Sequence, residues 1–182
     1  MNEDIKSVLY SEDQIAERVG EIGRAITEEY RDLVSDGDIV LVSVLRGAAI
    51  FMADLARAID LPVEMDYMVV SSYGSGAKSS GTVNIVKDLG TDIRGRHVII
   101  AEDIIDTGLT LSRLLVELAK REPASLEVVS LLRKDLPGQA EIAAKHIGFE
   151  CPDEFIVGYG LDYAERYRNL PYIGILKPEI YQ

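Results

Sequence analysis

The sequence contains a single cysteine, and none of its apolar runs approaches the length of a membrane span. Cys151 has no partner for an intrachain disulfide bond, and a cysteine zinc cluster is excluded for the same reason. A membrane-spanning helix needs about 20 consecutive apolar residues. The N-terminal residues 1–5 lack the basic and then apolar pattern of a signal peptide. We therefore expect a protein of the reducing cytoplasm with no membrane partner.

Basic residues are also scarce, since 19 Lys and Arg face 31 Asp and Glu and give a formal net charge of −12. Proteins that bind nucleic acid usually carry an excess of positive charge, because phosphate neutralisation dominates their affinity. We therefore expect no nucleic-acid partner. A polyphosphate ligand would need Mg²⁺ or well-placed Arg and Lys side chains to offset its repulsion from this acidic chain.

Short apolar runs that alternate with helical periodicity are abundant. Residues 39–45 are almost continuously apolar, which is typical of a strand covered on both faces in a parallel sheet. Residues 11–34 have helical spacing, and Ser11 with Gln14 fits a capping box. Strands that alternate with helices predict an α/β fold with a mainly parallel central sheet flanked by helices. We expect one domain over residues 1–182, because no linker or repeat divides the chain.

The same patterns predict the remaining elements. Further helices are expected over residues 48–59, 109–120 and 140–146. Further strands are expected over residues 63–70, 82–87, 97–102, 126–132, 155–159 and 172–176. Ligands of such folds bind beyond the carboxyl ends of the strands, so the chemistry is expected just after Leu45, Asp103 and Leu132.

Residues 98–111 join an apolar strand to the start of a helix and are the most informative segment. Glu102, Asp103 and Asp106 lie at this junction. The turn at Thr107 and Gly108 follows them and opens the helix. Carboxylates bind sugar hydroxyls or Mg²⁺, and backbone N–H groups at a helix start bind phosphate. A ligand that suits both halves has a ribose next to a phosphate.

Two other interpretations of this segment remain. Asp106 or Thr107 alone is an ordinary helix cap. That does not explain Glu102 and Asp103 at the end of a buried strand, where an unpaired charge is costly. The Asp-Thr-Gly triplet at 106–108 also occurs in aspartic proteases, which need two such carboxylates from an all-β fold. Here the triplet occurs once and leads into a predicted helix.

Polar and aromatic side chains elsewhere suit the same kind of ligand. Arg46 after the first long strand is suited to grip a phosphate, and Gly47 would let the backbone approach it closely. Lys134 is either a solvated lysine or a donor to a ring carbonyl. Phe155 is either a core residue or a platform for a flat base. Arg168 pairs either with a diphosphate or with a surface glutamate.

Together these residues resemble the hypoxanthine (hypoxanthine-guanine) phosphoribosyltransferase family of type I phosphoribosyltransferases. The resemblance covers about residues 15–176. It rests on residues 45–47, 72–74, 102–108, 134 and 155–168. It implies a type I phosphoribosyltransferase fold with a small hood formed by the chain ends. A purine-binding part of about 134–182, a mobile lid of about 71–81 and a cis peptide bond between Leu45 and Arg46 are implied as well.

The activity implied by the resemblance belongs to purine salvage. It is the Mg²⁺-dependent transfer of ribose 5-phosphate from 5-phosphoribosyl 1-diphosphate to hypoxanthine, and to guanine, giving IMP or GMP and diphosphate. The implied cofactor is Mg²⁺, and the implied assembly is a homodimer or homotetramer. A transferase for xanthine or guanine only is one alternative. An RNA-binding regulator of the same fold is another, and the net charge weighs against it.

The resemblance also implies a role for individual residues. Asp106 would be the catalytic residue and act on N7 of the base. The ribose and its phosphate would be bound by Glu102, Asp103, Asp106, Thr107, Gly108, Leu109 and Thr110. Diphosphate would be bound by Arg46, Gly47 and Arg168. The purine would be bound by Lys134, Phe155, Ile156 and Asp162. Ser72 and Tyr73 would belong to the lid, and the metal would be held by Glu102, Asp103 and Asp162.

Overall fold

The computed structural model of the chain describes residues 1–35, 38–71 and 84–182. A short 3₁₀ helix, Asn2–Asp4, precedes the first strand. The helices are α1 (Glu12–Tyr30), α2 (Ala49–Ala58), α3 (Leu109–Ala119) and α4 (Pro178–Tyr181). The strands are β1 (Ile5–Tyr10), β2 (Ile39–Val44), β3 (Val63–Ser71), β4 (Asn84–Lys87), β5 (His97–Ile105), β6 (Ser125–Lys134), β7 (Ala144–Cys151), β8 (Ile156–Val157) and β9 (Ile173–Leu176).

Six strands form the central sheet in the order β4-β3-β2-β5-β6-β7. Neighbouring strands from β3 to β7 in this order are parallel, and β4 runs antiparallel to β3 at one edge. The carboxyl ends of β2, β5 and β6 therefore lie side by side. This edge carries the polar residues that the sequence singles out.

The middle strands of the central sheet, β2, β5 and β6, are buried on both faces because alternate residues of each strand enter different cores. Ile39 and Leu41 of β2 pack with α1 and α2, where Phe51 and Ile15 are fully buried. Val40 of β2 faces the other way and packs in the core that contains Leu111, Leu114 and Leu118 of α3. This period of two explains why the buried stretches of these strands are mostly apolar on both faces.

The two chain ends meet in a smaller antiparallel sheet with the order β1-β9-β8. Its own core contains Val157 and Leu176 together with Tyr167, whose hydroxyl donates to Asp4 at 2.9 Å. The predicted hood formed by the chain ends is confirmed as this sheet. Within the described ranges, the structure contains no helix that is long and apolar enough to span a membrane.

The predicted α/β fold with a mainly parallel sheet is confirmed, and one predicted element is wrong. Residues 140–146 do not form a helix, and their last three residues begin β7, which pairs with β6. Pairing with the exposed edge of β6 outweighs a weak helical tendency, since propensity is easily overridden by tertiary contacts. β1 was not among the predicted strands. The capping box is present, since Gln14 N–H donates to Ser11 Oγ at 3.3 Å and Ser11 N–H to Gln14 Oε1 at 2.9 Å.

Candidate active site

The predicted site residues of three strands lie along the carboxyl edge of the central sheet. Arg46 follows β2, Asp106 follows β5, and Lys134 is the last residue of β6. The peptide bond between Leu45 and Arg46 is cis, as the resemblance implies. Because β2 and β6 both pair with β5, these side chains surround the segment 102–110.

Glu102 and Asp103 are consecutive in β5 and leave opposite faces of the sheet. Glu102 lines a cavity of about 200 Å³ on the α3 side, together with Val44, Val70 and Leu111. Asp103 lies on the other side against Gly47, just before α2. The two carboxylates therefore serve different parts of the site.

Glycine at position 47 is required by the carboxylate of Asp103. A Cβ atom on Gly47 would lie 1.7 Å from Asp103 Oδ2. Gly160 supports the same loop from the other side. It has a φ of 104°, and a Cβ atom there would lie 2.1 Å from the carbonyl oxygen of Gly47. The loop after β2 is thus packed between Asp103 and Gly160, and a Cβ atom at position 47 or 160 would force a neighbouring atom to move.

Both carboxylates of β5 are held in an environment that disfavours their charge. Burial raises the pKa of Glu102 well above its usual value, and the nearby Asp103 raises it further. Burial also raises the pKa of Asp103 to about 6, although the backbone N–H of Ile104, at 2.8 Å from Oδ1, and the charge of Arg168 oppose this shift. Burying anionic groups without full compensation suggests a ligand that supplies the compensation.

The start of α3 offers free backbone N–H groups. Its N-cap residue is Gly108, with a φ of 70°, and no side chain among the described residues caps the helix. Thr107, Leu109 and Thr110 are exposed around this helix start. Asp106 is exposed as well and is not the N-cap, so the interpretation of Asp106 as an ordinary cap is wrong. Together with the helix dipole, such an uncapped start is suited to an anion.

Lys134 is mostly buried and its ammonium group lies between two carboxylates. Nζ is 3.3 Å from Asp153 Oδ1 and 3.8 Å from Asp106 Oδ1. Gln139 ties the ends of β5 and β6 together, because its Nε2 donates to the carbonyl oxygen of Lys134 at 2.9 Å and also to that of Asp106. Lys134 and Asp106 are thereby kept within reach of one ligand.

A cluster of charged side chains surrounds the two predicted diphosphate-binding arginines. Arg168 Nη2 lies 2.8 Å from Asp162 Oδ1, and Arg168 Nη1 donates to the carbonyl oxygen of Gly160 at 2.8 Å. Arg46 forms a bidentate salt bridge with Glu165. Asp162 also influences Asp103, whose pKa it raises. The structure therefore joins Arg46, Arg168, Asp162 and the Asp103 side of the sheet.

Phe155 lies within an aromatic cluster at the smaller sheet and is not a core residue. Its ring is stacked on Tyr181 of α4 at 4.9 Å between centroids and meets the edge of Tyr163 at 5.3 Å. About a third of the Phe155 surface, 36%, is exposed. Ile156, the next residue, is buried at the start of β8. An aromatic surface is therefore available near the end of β7.

The predicted lid residues Ser72 and Tyr73 lie outside the described residues, as does most of the predicted lid. Three residues beside the site were not among the predicted site residues: Gln139, Asp153 and Glu165. Asp153 lies two positions before Phe155 and Glu165 lies within the segment 155–168, so their closeness to the predicted purine-binding segment was the available signal. Gln139 had no such signal, because only the tertiary pairing of β5 with β6 brings it to the site.

The carboxylates suit a hard cation that is also bound by the ligand. Over residues 1–35, 38–71 and 84–182, no three His, Cys, Asp or Glu side chains are arranged to hold a metal ion by themselves. Mg²⁺ is commonly held by one or two carboxylates plus phosphate oxygens of a substrate. The raised pKa of Asp103, with Asp162 close by, fits that mode of binding.

A larger cavity lies elsewhere and contains none of the predicted site residues. Its volume is about 510 Å³, and it is lined by α1, α2, Tyr159 and residues 169–171. Its polar contacts are internal, since the Tyr159 hydroxyl donates to Asp54 at 2.6 Å and Arg57 pairs with Asp54 at 3.2 Å. Cavity volume alone does not identify the functional site. The carboxylates with raised pKa values and the uncapped start of α3 lie at the carboxyl end of β5, away from this larger cavity.

Comparison with known proteins decides the family. The model of the phosphoribosyl transferase domain matches residues 11–164. The chain is 54% identical to hypoxanthine-guanine phosphoribosyltransferase of Mycobacterium avium over 181 residues, which covers 98% of this chain and 89% of that protein. The chain belongs to the hypoxanthine-guanine phosphoribosyltransferase family. The family resemblance predicted from the motifs is confirmed.

Further relatives agree over the whole length of the chain. The protein of the same name from Bacillus subtilis is 52% identical and is matched over 99% of its length, with 100% of this chain covered. A crystal structure of a hypoxanthine phosphoribosyltransferase from Staphylococcus aureus has a TM-score of 0.92 at 47% identity, covering 100% of this chain and 97% of that one. The Trypanosoma cruzi enzyme, in a ternary substrates complex, has a TM-score of 0.94 at 40% identity and covers 99% and 100%.

Proposed function

We propose that this chain transfers ribose 5-phosphate from 5-phosphoribosyl 1-diphosphate to hypoxanthine or guanine, giving the nucleotide and diphosphate. Membership of the family supports the reaction, and the β5 edge supports its location. The observation that carries the proposal is that the partly buried residues Glu102 and Asp103, whose pKa values are raised, lie a few positions before an uncapped helix start at Gly108. A ribose carrying a phosphate matches that sequence of groups.

The segment 102–110 would hold the ribose phosphate. Backbone N–H groups from Thr107 to Thr110 and the two threonine hydroxyls would receive the 5-phosphate, where the helix dipole favours negative charge. Glu102 and Asp103 would hold the ribose hydroxyls. Their negative charge also suits a transition state in which positive charge develops on the ribose. The apolar side chain of Leu109 would add nothing polar, so its contribution would come from the backbone alone.

Asp106 would act on the base and Lys134 would select it. The exposed carboxylate of Asp106, beyond the end of β5, would accept or share the proton at N7 as the new bond forms. Lys134 would donate a hydrogen bond to the 6-oxygen, which adenine lacks. The exposed surface of Phe155 would stack on the purine, while the backbone of Ile156 would contact its edge. The preference for 6-oxopurines would follow mainly from the charge of Lys134.

Arg46, Gly47, Arg168 and Asp162 would serve the diphosphate end. Both guanidinium groups suit phosphate oxygens, which they bind through paired N–H groups. Gly47 keeps the backbone close to Asp103 and leaves room for the ligand. Mg²⁺, when bound with the donor, would neutralise diphosphate charge, and Asp103, Asp162 and Glu102 are the side chains we propose for it. The charge of Asp162 raises the pKa of Asp103, so the two carboxylates are close enough to interact.

The test is product formation from 5-phosphoribosyl 1-diphosphate and Mg²⁺ with hypoxanthine, guanine, xanthine, adenine and uracil in parallel. Turnover of hypoxanthine, with or without guanine, and none of adenine is the expected result. A parallel assay in excess chelator should abolish turnover. Turnover of uracil alone, or of no base, would contradict the proposal and favour the alternative of an RNA-binding regulator.

A homodimer or homotetramer and a cytoplasmic location remain predictions for this chain. Light scattering coupled to size-exclusion chromatography would test the first. Fractionation of cells that produce the protein would test the second.

A further inference from the structure

The carboxylate of Glu165 lies between the two arginines that the proposed function gives to the diphosphate. Arg46 Nη1 is 3.0 Å from Glu165 Oε2, and Arg46 Nη2 donates to Glu165 Oε1 at 3.1 Å. Arg168 Nη2 is 3.5 Å from Glu165 Oε2. One internal carboxylate thus contacts both guanidinium groups at once.

The backbone around Glu165 holds the carboxylate in this position. Glu165 has a φ of 63° and Ala164 a φ of 49°, which are left-handed conformations that side chains disfavour. The N–H of Glu165 donates to Asp162 Oδ2 at 2.9 Å, and Tyr163 and Arg166 close the turn with reciprocal backbone hydrogen bonds. A disfavoured turn therefore places the exposed side chain of Glu165 next to the two arginines.

The arginines are not saturated by their internal partners. Nε of Arg168 is buried and has no hydrogen-bond partner among the described residues. Arg46 and Glu165 both remain more than half exposed, with 69% and 58% of their side chains accessible. The pair of Arg46 and Glu165 is therefore weak and accessible from solvent. A phosphate oxygen that enters the site would meet guanidinium groups that still have N–H donors unpaired within the described part of the chain.

We propose that Glu165 is a built-in competitor for the diphosphate group. In the free protein it substitutes for the ligand and keeps Arg46 and Arg168 together. The diphosphate of the donor displaces its carboxylate, and the carboxylate returns when diphosphate leaves. Glu165 then weakens donor binding and helps release the product, without touching the reacting atoms. The inference rests on the proposed function of the site.

Glu165→Gln tests this competition because it removes the charge and preserves the shape. Glu122→Gln is the matched control, since Glu122 also has a left-handed φ, of 56°, and pairs with an arginine, Arg94, before β6 and far from the site. Binding of 5-phosphoribosyl 1-diphosphate is measured by calorimetry with Mg²⁺ and without base. An exposed ion pair contributes up to about 1 kcal/mol, so Glu165→Gln should bind about two- to fivefold more tightly than the wild type. Glu122→Gln should bind like the wild type.

Salt and the second substrate supply independent readouts. The gain in affinity should shrink toward none as the salt concentration rises, because screening weakens the Arg46 to Glu165 pair. The KM for hypoxanthine should stay within about twofold of the wild type. Equal donor affinity of the wild type and Glu165→Gln, or an equal gain in Glu122→Gln, would overturn the competition while leaving the proposed function standing. No donor binding by the wild type would overturn both.

Discussion

Asp103→Asn should make the ligand-free protein more stable and inactive at the same time. Burial raises the pKa of Asp103 to about 6, from an ordinary value near 3.8. Between these two values the unfolded chain releases the proton first, so the stability of the native state falls as the pH rises. Above about pH 6 the native state carries the full cost of holding the charged Asp103 carboxylate in this environment. Asparagine imitates the neutral carboxyl group and avoids it.

The size of the effect follows from the pKa difference. The pKa difference of Asp103 corresponds to about 3 kcal/mol at pH 7.5, and to about half of that at pH 5, where the native carboxyl group is mostly protonated. Urea unfolding in chelator at the two pH values measures both free energies of unfolding. Activity should fall at least about a hundredfold, since the proposed ligand to ribose and metal is lost.

Asp66→Asn is a control of opposite sign. Burial alone would raise the pKa of Asp66, but hydrogen bonds from the backbone N–H groups of Tyr67, Thr91 and Gly90 lower it. This variant should therefore lose about 1 kcal/mol or more of stability at neutral pH. If Asp103→Asn were no more stable than the wild type at pH 7.5, the charge of Asp103 would already be compensated in the free protein, and the reasoning from burial would be refuted.

Three further changes probe the site and the fold. Gly47→Ala places a Cβ atom where Asp103 Oδ2 lies, so it should displace that carboxylate. We expect kcat/KM in a steady-state assay to fall by about tenfold or more. Unchanged kinetics would show that the position of Asp103 is not critical. Lys134→Gln should raise the KM for hypoxanthine by about tenfold and the KM for the ribosyl donor far less. Equal increases in the two KM values would argue against purine recognition by Lys134. Ser11→Ala removes the cap of α1 and should lower the free energy of unfolding by about 1 kcal/mol with full activity retained, as thermal unfolding and the same assay would show.

The middle of the central sheet was predictable because its strands β2, β5 and β6 are buried on both faces. Residues 39–42 and 98–101 are apolar at successive positions, and that pattern predicts a buried parallel strand. The ends of the strands were less predictable than their middles. β5 continues to Ile105, beyond the predicted end at Glu102, since pairing of Ile104 and Ile105 with β6 extends the strand. Residues 140–146 were predicted as a helix because their sequence does not reveal the edge of β6, to which β7 binds.

The site was predictable where its residues are close in sequence and less so where only the fold unites them. Residues 102–110 form one continuous segment, so the carboxylates and the helix start were visible together. The period of a strand predicts that Glu102 and Asp103 lie on opposite faces of the sheet. The cavity that Glu102 lines and the contact of Asp103 with Gly47 depend on tertiary packing. The contacts of Glu165 with Arg46 join residues 119 positions apart, which sequence reasoning could not anticipate.

The most direct test of the account is the rate of IMP formation by Asp106→Asn, compared with the wild type and with Asp135→Asn. Asp135 is an exposed aspartate that follows Lys134, and it serves as a nearby control. The account predicts that Asp106→Asn loses about a hundredfold or more in kcat while its thermal unfolding stays close to that of the wild type, because proton transfer at the base is lost. Asp135→Asn should keep near-normal kcat. Near-normal turnover by Asp106→Asn would contradict the assignment of the chemistry to the end of β5.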